Sequence, residues 1–179
     1  MICLIGESGS GKSSIEKYLC DKHGLKKVVS YTTRPPRQGE VDGVDYHFIT
    51  EEEFFAMKDN NEFAETTKFR DWYYGATIKE LQNKDVFVIE PIGLKTLLDR
   101  KEELNLNLTP IYIYVAERVR MIRMLERGDD VDEVIRRVHN DRETFAGVKD
   151  LVQFKVFNGV AGLFEYTAGE VLNIYRMNS

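Results

Sequence analysis

The run Gly6-Glu7-Ser8-Gly9-Ser10-Gly11-Lys12-Ser13 has the residue types and spacing to bind a polyphosphate. Glycines reach backbone conformations closed to other residues, so successive N–H groups can turn inward onto phosphate oxygens. Lys12 supplies a mobile charge for β- and γ-phosphates, and the Ser13 hydroxyl can ligate Mg²⁺. The run follows the apolar stretch Met1 to Ile5 and precedes a helical pattern, so Ser14 falls in a first turn whose positive dipole end favours anions. A P-loop pattern in that strand-to-helix setting predicts a bound nucleoside triphosphate, with Mg²⁺ held through Ser13. The bland alternative is a glycine-rich turn with an accidental Lys-Ser.

Further groups could hold a second phosphate. Arg34 and Arg37 flank Pro35-Pro36; their guanidinium forks match the oxygens of one monophosphate, and the prolines stiffen the backbone that presents them. Tyr46 and Tyr74 can add neutral hydroxyl donors. Arg123 and Arg127 stand one helical turn apart on a shared face, so both could converge on one ligand. Phosphoryl transfer needs positive charge where negative charge builds up between donor and acceptor. Glu90 ends an apolar run, where α/β sheets place functional groups. It could hold a Mg²⁺ water or an acceptor base, or be a helix-capping or salt-bridged acid. Arg118, Arg120 and Arg136 read as a solvated helical face.

The elements that must position these groups alternate. Short apolar runs at Met1–Ile5, Val28–Val29, Val86–Ile89, Ile111–Val115 and Val152–Phe157 read as buried parallel strands. Helical patterns separate them, including one opened by a Thr50/Glu53 capping box and two charged helices split at Gly128-Asp129-Asp130. The expected fold is therefore α/β, a parallel sheet of about five strands flanked by helices. At 179 residues one domain is expected, with a core (1–31, 76–117 and 146–179), an inserted lobe (32–75) and a helical lid (118–145). Net charge is −5, which argues against sequence-independent nucleic-acid binding. No apolar run reaches membrane-spanning length and no signal peptide precedes the motif, so a cytoplasmic location is expected. Cys3 and Cys20 lack metal-ligand spacing and read as small core residues.

The stretch Ser30-Tyr31-Thr32-Thr33-Arg34-Pro35-Pro36-Arg37-Gln38-Gly39-Glu40 closely resembles the signature of the guanylate kinase family. It continues through Asp42-Gly43-Val44-Asp45-Tyr46-His47-Phe48, Asn61-Glu62-Phe63-Ala64-Glu65 and Tyr73-Tyr74-Gly75 in the family's order. The resemblance implies a P-loop NTPase-type sheet, an acceptor-binding lobe, a lid, and ATP-dependent phosphoryl transfer to GMP or dGMP. It further implies that Arg34, Arg37, Tyr46 and Tyr74 hold the acceptor phosphate while Ser30 and Glu65 reach the base. A carboxylate suits guanine, whose N1–H and N2–H are adjacent donors. Arg137 resembles a later lid arginine, and Asn158 the residue near the donor adenine or, alternatively, a strand-end turn. Three departures stand out. Ala76 replaces a Ser or Thr that contacts guanine, with Thr77 next to it as a substitute. Val88-Ile89-Glu90 replaces Asp-x-Asp, and the segment before it is short. The alternatives are a kinase of different or broader base preference, simple NTP hydrolysis, or a non-catalytic binding module.

Overall fold

The computed structural model describes residues 1–37 and 39–178; Gln38, within the arginine-bearing stretch, and Ser179 lie outside the described residues. In chain order, β1 (Ile2–Ile5) leads through the phosphate loop to α1 (Lys12–His23), then β2 (Tyr31–Thr32), β3 (His47–Phe48) and α2 (Glu51–Asp59). A hairpin of β4 (Phe63–Phe69) and β5 (Trp72–Thr77) follows, then α3 (Ile78–Leu81), β6 (Val86–Val88), α4 (Pro91–Arg100) and β7 (Thr109–Tyr114). The chain ends with α5 (Glu117–Glu126), α6 (Val131–Thr144), β8 (Phe154–Phe157) and α7 (Phe164–Asn178).

Four strands form a parallel sheet in the order β6-β1-β7-β8. Their side chains alternate between two apolar layers, which is why the strands read as unbroken apolar runs. Ile2, Leu4 and Val86 pack on Ile15 and Leu19 of α1 and on Val171 and Leu172 of α7. Cys3, Ile5 and Phe87 pack on the other side, against Leu94 and Leu97 of α4. The expected fifth strand is reduced to a bridge between Lys27 and Val86, with the Val28 N–H donating to the Val86 carbonyl at 2.9 Å. The Glu80 carboxylate takes the next amide, that of Val29, at 3.0 Å, and so ends strand pairing there.

The segment from Tyr31 to Thr77 builds a second sheet in the order β3-β2-β5-β4. The capping box opens α2 as its sequence predicts: Glu53 N–H donates to Thr50 Oγ1 at 3.1 Å, and Thr50 N–H to Glu53 Oε2 at 2.8 Å. Asp42 and Asp45 serve as turn formers, accepting from the amides of Phe48 and Val41. Tyr73 packs on Phe54 and Phe55. Gly128, at φ +92°, breaks the lid pattern into α5 and α6, where Asp130 caps the second helix. Arg70, at the hairpin tip, reaches Glu133 of α6 at 3.0 Å, so the second sheet and the α5–α6 pair touch.

Candidate active site

The phosphate loop leaves β1 at Gly6 and enters α1 through Gly9 and Gly11, both left-handed at φ +78° and +95°. These two positions also allow close approach. A methyl on Gly9 would stand 2.7 Å from the Arg120 carbonyl, and one on Gly11 2.5 Å from the Asn158 amide nitrogen. Ser10 N–H closes a turn onto Glu7 O at 3.1 Å, and the buried Ser10 side chain faces Gly6. Ser13 and Ser14 stay exposed at the start of α1. The Lys12 ammonium folds back to donate to the Gly6 carbonyl, and to that of Glu7 at 3.4 Å. Burial lowers its pKa, opposed by the nearby carboxylates of Glu90, Asp141 and Glu7. Glu7 itself points inward and accepts from the Tyr112 hydroxyl at 2.7 Å.

The α5–α6 pair grips this loop through two residues that sequence reasoning missed. Asp141 of α6 accepts from the Ser8 N–H at 2.9 Å and the Ser8 hydroxyl at 3.3 Å. Arg120 of α5 donates to the same carboxylate and to the Ser8 carbonyl, both at 3.1 Å. Arg120 was expected on a solvated face, yet it is 3% exposed, because Ser8 and Asp141 satisfy its charge inside the protein. The available signal was placement. Arg120 stands one turn before Met124, and Asp141 continues the buried stripe of Val134 and Val138. Arg118 is exposed and Arg136 pairs with Glu133 at 2.7 Å, in keeping with a surface face.

Across the cleft, the second sheet presents the acceptor candidates. Arg34 is buried, donating to Glu40 at 2.8 Å and Pro35 O at 2.9 Å, with its guanidinium 5.5 Å from the Tyr46 ring centroid. The Tyr46 and Tyr74 rings meet edge to face at 6.0 Å, and the Tyr74 hydroxyl interacts with Arg34. The structure thus brings Arg34, Tyr46 and Tyr74 together. Arg37 stays exposed at the rim, its backbone N–H bonded to Glu40. Ser30 and Tyr46 line one cleft of about 550 Å³ with Ser13 of the phosphate loop.

Glu65 is 6% exposed. It accepts from the Ala76 N–H at 3.0 Å and the Thr67 hydroxyl at 3.4 Å, and burial pushes its pKa up to about 7. Gly93 of α4 makes room for it, since a methyl there would stand 2.7 Å from Glu65 Oε2. Ala76 contributes its amide to this carboxylate and no side-chain hydrogen bond. The Thr77 Oγ1 accepts from the Glu80 N–H at 3.1 Å and caps α3, which leaves its O–H proton uncommitted by that bond. Glu90 occupies the N-cap position of α4 without a side-chain capping bond, so that alternative fails. Its carboxylate instead lies near Lys12 on the open cleft, and its pKa is raised by crowding against protein, with Lys12 opposing.

The arginines expected in the lid are held by neighbours. Arg123 donates to the Asn158 carbonyl at 2.7 Å. Arg127 pairs with Asp129, and Arg137 with Glu133 at 2.8 Å. Asn158 is buried and its side-chain amide donates to Ser10 O at 2.9 Å, so it braces the phosphate loop. Among the described residues no helix is long and apolar enough to cross a membrane, and no cluster of three His, Cys, Asp or Glu side chains could cage a metal.

A phosphate loop facing a basic, tyrosine-lined pocket beneath an arginine-bearing helix pair defines the class of P-loop phosphotransferases. The family model described as guanylate kinase matches residues 1–152. A guanylate kinase of Mycoplasmopsis pulmonis is 34% identical over 169 residues, covering 88% of this chain and 86% of that one. One from Schizosaccharomyces pombe is 35% identical over 145 residues, covering 75% and 69%. In fold, the chain is similar to the crystal structure of guanylate kinase from Anaplasma phagocytophilum, with a TM-score of 0.75 at 24% identity over 99% of this chain and 84% of that one. The chain belongs to the guanylate kinase family.

Proposed function

We propose that this protein transfers the γ-phosphoryl group of ATP to GMP or dGMP, giving ADP and GDP or dGDP, in the cytoplasm. The observation that carries the reading is the buried Glu65, fixed by Ala76 N–H and Thr67 on the same β4–β5 hairpin that carries Tyr74, which meets Arg34 and Tyr46. A carboxylate there pairs with the adjacent N1–H and N2–H donors of guanine, and a base lacking them would leave it buried and unpaired. Residues 32–75 act as the acceptor lobe and 118–145 as the lid.

No side chain need act as nucleophile, because an oxygen of the acceptor phosphate attacks the γ-phosphorus and the bond to the β-phosphate oxygen breaks. The protein contributes position and charge. The loop amides and Lys12 hold the triphosphate, and Arg34, Arg37, Tyr46 and Tyr74 hold the monophosphate. Arg123, Arg127 and Arg137 exchange their present partners for the phosphates as lobe and lid close and exclude water. The donor set suits Mg²⁺, which takes one or two protein oxygens and keeps its waters: Ser13 is exposed beside the loop and Glu90 has no capping duty. When bound, Mg²⁺ would neutralise charge on the β- and γ-phosphates.

A coupled assay of ADP release across GMP, dGMP, AMP, CMP, UMP and dTMP tests the reading. Turnover confined to AMP or a pyrimidine would overturn the guanine assignment; phosphate release without any acceptor would mark a hydrolase. A second reading, broader base preference, is favoured by one observation: Ala76 has no hydroxyl, and the Thr77 oxygen beside it also caps α3. The same assay separates the two by the ratio of GMP to AMP turnover.

A further inference from the structure

One carboxylate of the cleft has no role in the reaction as derived. Glu16 lies on α1 one helical turn beyond Ser13, and Ser13, Glu16, Lys17 and Cys20 form one wall of the 550 Å³ cleft. Val88, the last residue of β6, lines the same cleft. Its side chain packs against the apolar layer that includes Ile15 and Leu19 of α1, so β6 brings no acid to this face. Its N–H lies near the Glu16 carboxylate. The following amide, Ile89 N–H, donates inward to Leu4 O at 3.1 Å, which leaves that of Val88 facing the sheet edge where Glu16 sits.

Burial pushes the Glu16 pKa up to about 7, with Lys27 as the opposing cation, while Lys17 is committed to Asp21 at 2.9 Å. A hard oxygen donor near the Val88 amide, with Lys27 on the same cleft, therefore stands one turn from the hydroxyl at the foot of the phosphate loop. Mg²⁺ binds through few protein oxygens and retains waters, and the groups that orient those waters govern its affinity.

We propose that Glu16 orients the water shell of the Mg²⁺ that enters with ATP at Ser13, supplying from α1 the carboxylate that β6 lacks at Val88. The inference rests on the phosphotransfer reading, and only on its donor half. Glu90, beside Lys12, is a separate group nearer the start of α4.

The test is a calorimetric titration with a non-hydrolysable ATP analogue, in excess Mg²⁺ and again in EDTA, with no acceptor present. A parallel titration follows Mn²⁺ in the ADP complex by electron paramagnetic resonance. Glu16→Gln is expected to loosen Mn²⁺ by about tenfold or more, while nucleotide affinity in EDTA stays within about twofold. Adding Val88→Asp to Glu16→Gln is expected to restore most of the loss. Unchanged Mn²⁺ affinity, an equal loss with and without metal, or a double variant as weak as the single one would each overturn the proposal. Gln preserves shape and removes a half-buried charge, so thermal unfolding in EDTA should not fall below that of the unsubstituted protein. Glu16→Leu, expected to show the same metal loss, is the second variant should Gln misfold. Failure of the unsubstituted protein to bind the analogue in both conditions would refute the phosphotransfer reading itself, whereas a wrong acceptor leaves these titrations unchanged.

Discussion

Glu65→Gln separates a buried acid that reads a base from one that merely packs. The carboxylate is 6% exposed, and its pKa rises from 4.5 to about 7 because burial disfavours the charge more than Ala76 N–H and Thr67 favour it. At about 1.4 kcal/mol per pKa unit, that rise corresponds to about 3 kcal/mol against the ionised form. The folded protein binds this proton more tightly than the unfolded chain. The group's stabilising contribution is therefore complete below pH 4.5 and is lost as pH rises through about 7. Gln keeps both hydrogen bonds, accepting from Ala76 N–H and donating to Thr67. The variant should exceed the parent by less than about 1 kcal/mol at pH 5 and by up to about 3 kcal/mol at pH 9, a rise in Tm on the order of 10 °C at the higher pH. GMP binding should move the opposite way, weakening about 100-fold at pH 8 as the charged pair to guanine is lost. Urea unfolding at both pH values and calorimetric GMP titration measure these effects. Equal stability differences at pH 5 and pH 9, or unchanged GMP affinity, would refute the reasoning.

Asp141→Ala leaves Arg120 buried without its carboxylate, and urea unfolding should show a loss of about 3–5 kcal/mol. Arg120→Met with Asp141→Leu should recover most of that loss, because the pair is then removed together. Thr77→Val removes the α3 cap and should cost about 1 kcal/mol while leaving the KM for GMP unchanged; a raised KM would return Thr77 to the base site. Lys12→Met should lower kcat by about 10²–10³ without lowering Tm, since burial already disfavours the ammonium.

Local patterns carried much of the fold. The apolar runs of β1, β6 and β7, the Thr50/Glu53 box and the Gly128 break are short-range signals, and each formed where the residues placed it. Val28–Val29 did not, because its amide found a carboxylate fifty residues away, a competitor that no local window contains.

The site divides along the same line. Gly6 to Ser13 is contiguous, so backbone sterics and one lysine already specify a phosphate loop in the sequence. The residues around it come from distant segments. Asp141 meets Ser8 across 133 positions and Asn158 meets Ser10 across 148. Sequence determined that this protein has a phosphate loop and an arginine-proline segment, and its family resemblance singled out Glu65. Only the tertiary structure decided that Arg120 is buried, that Thr77 caps a helix, and that Glu16 faces Val88. Whether a polar group is satisfied by water, backbone or another charge depends on what folding brings beside it.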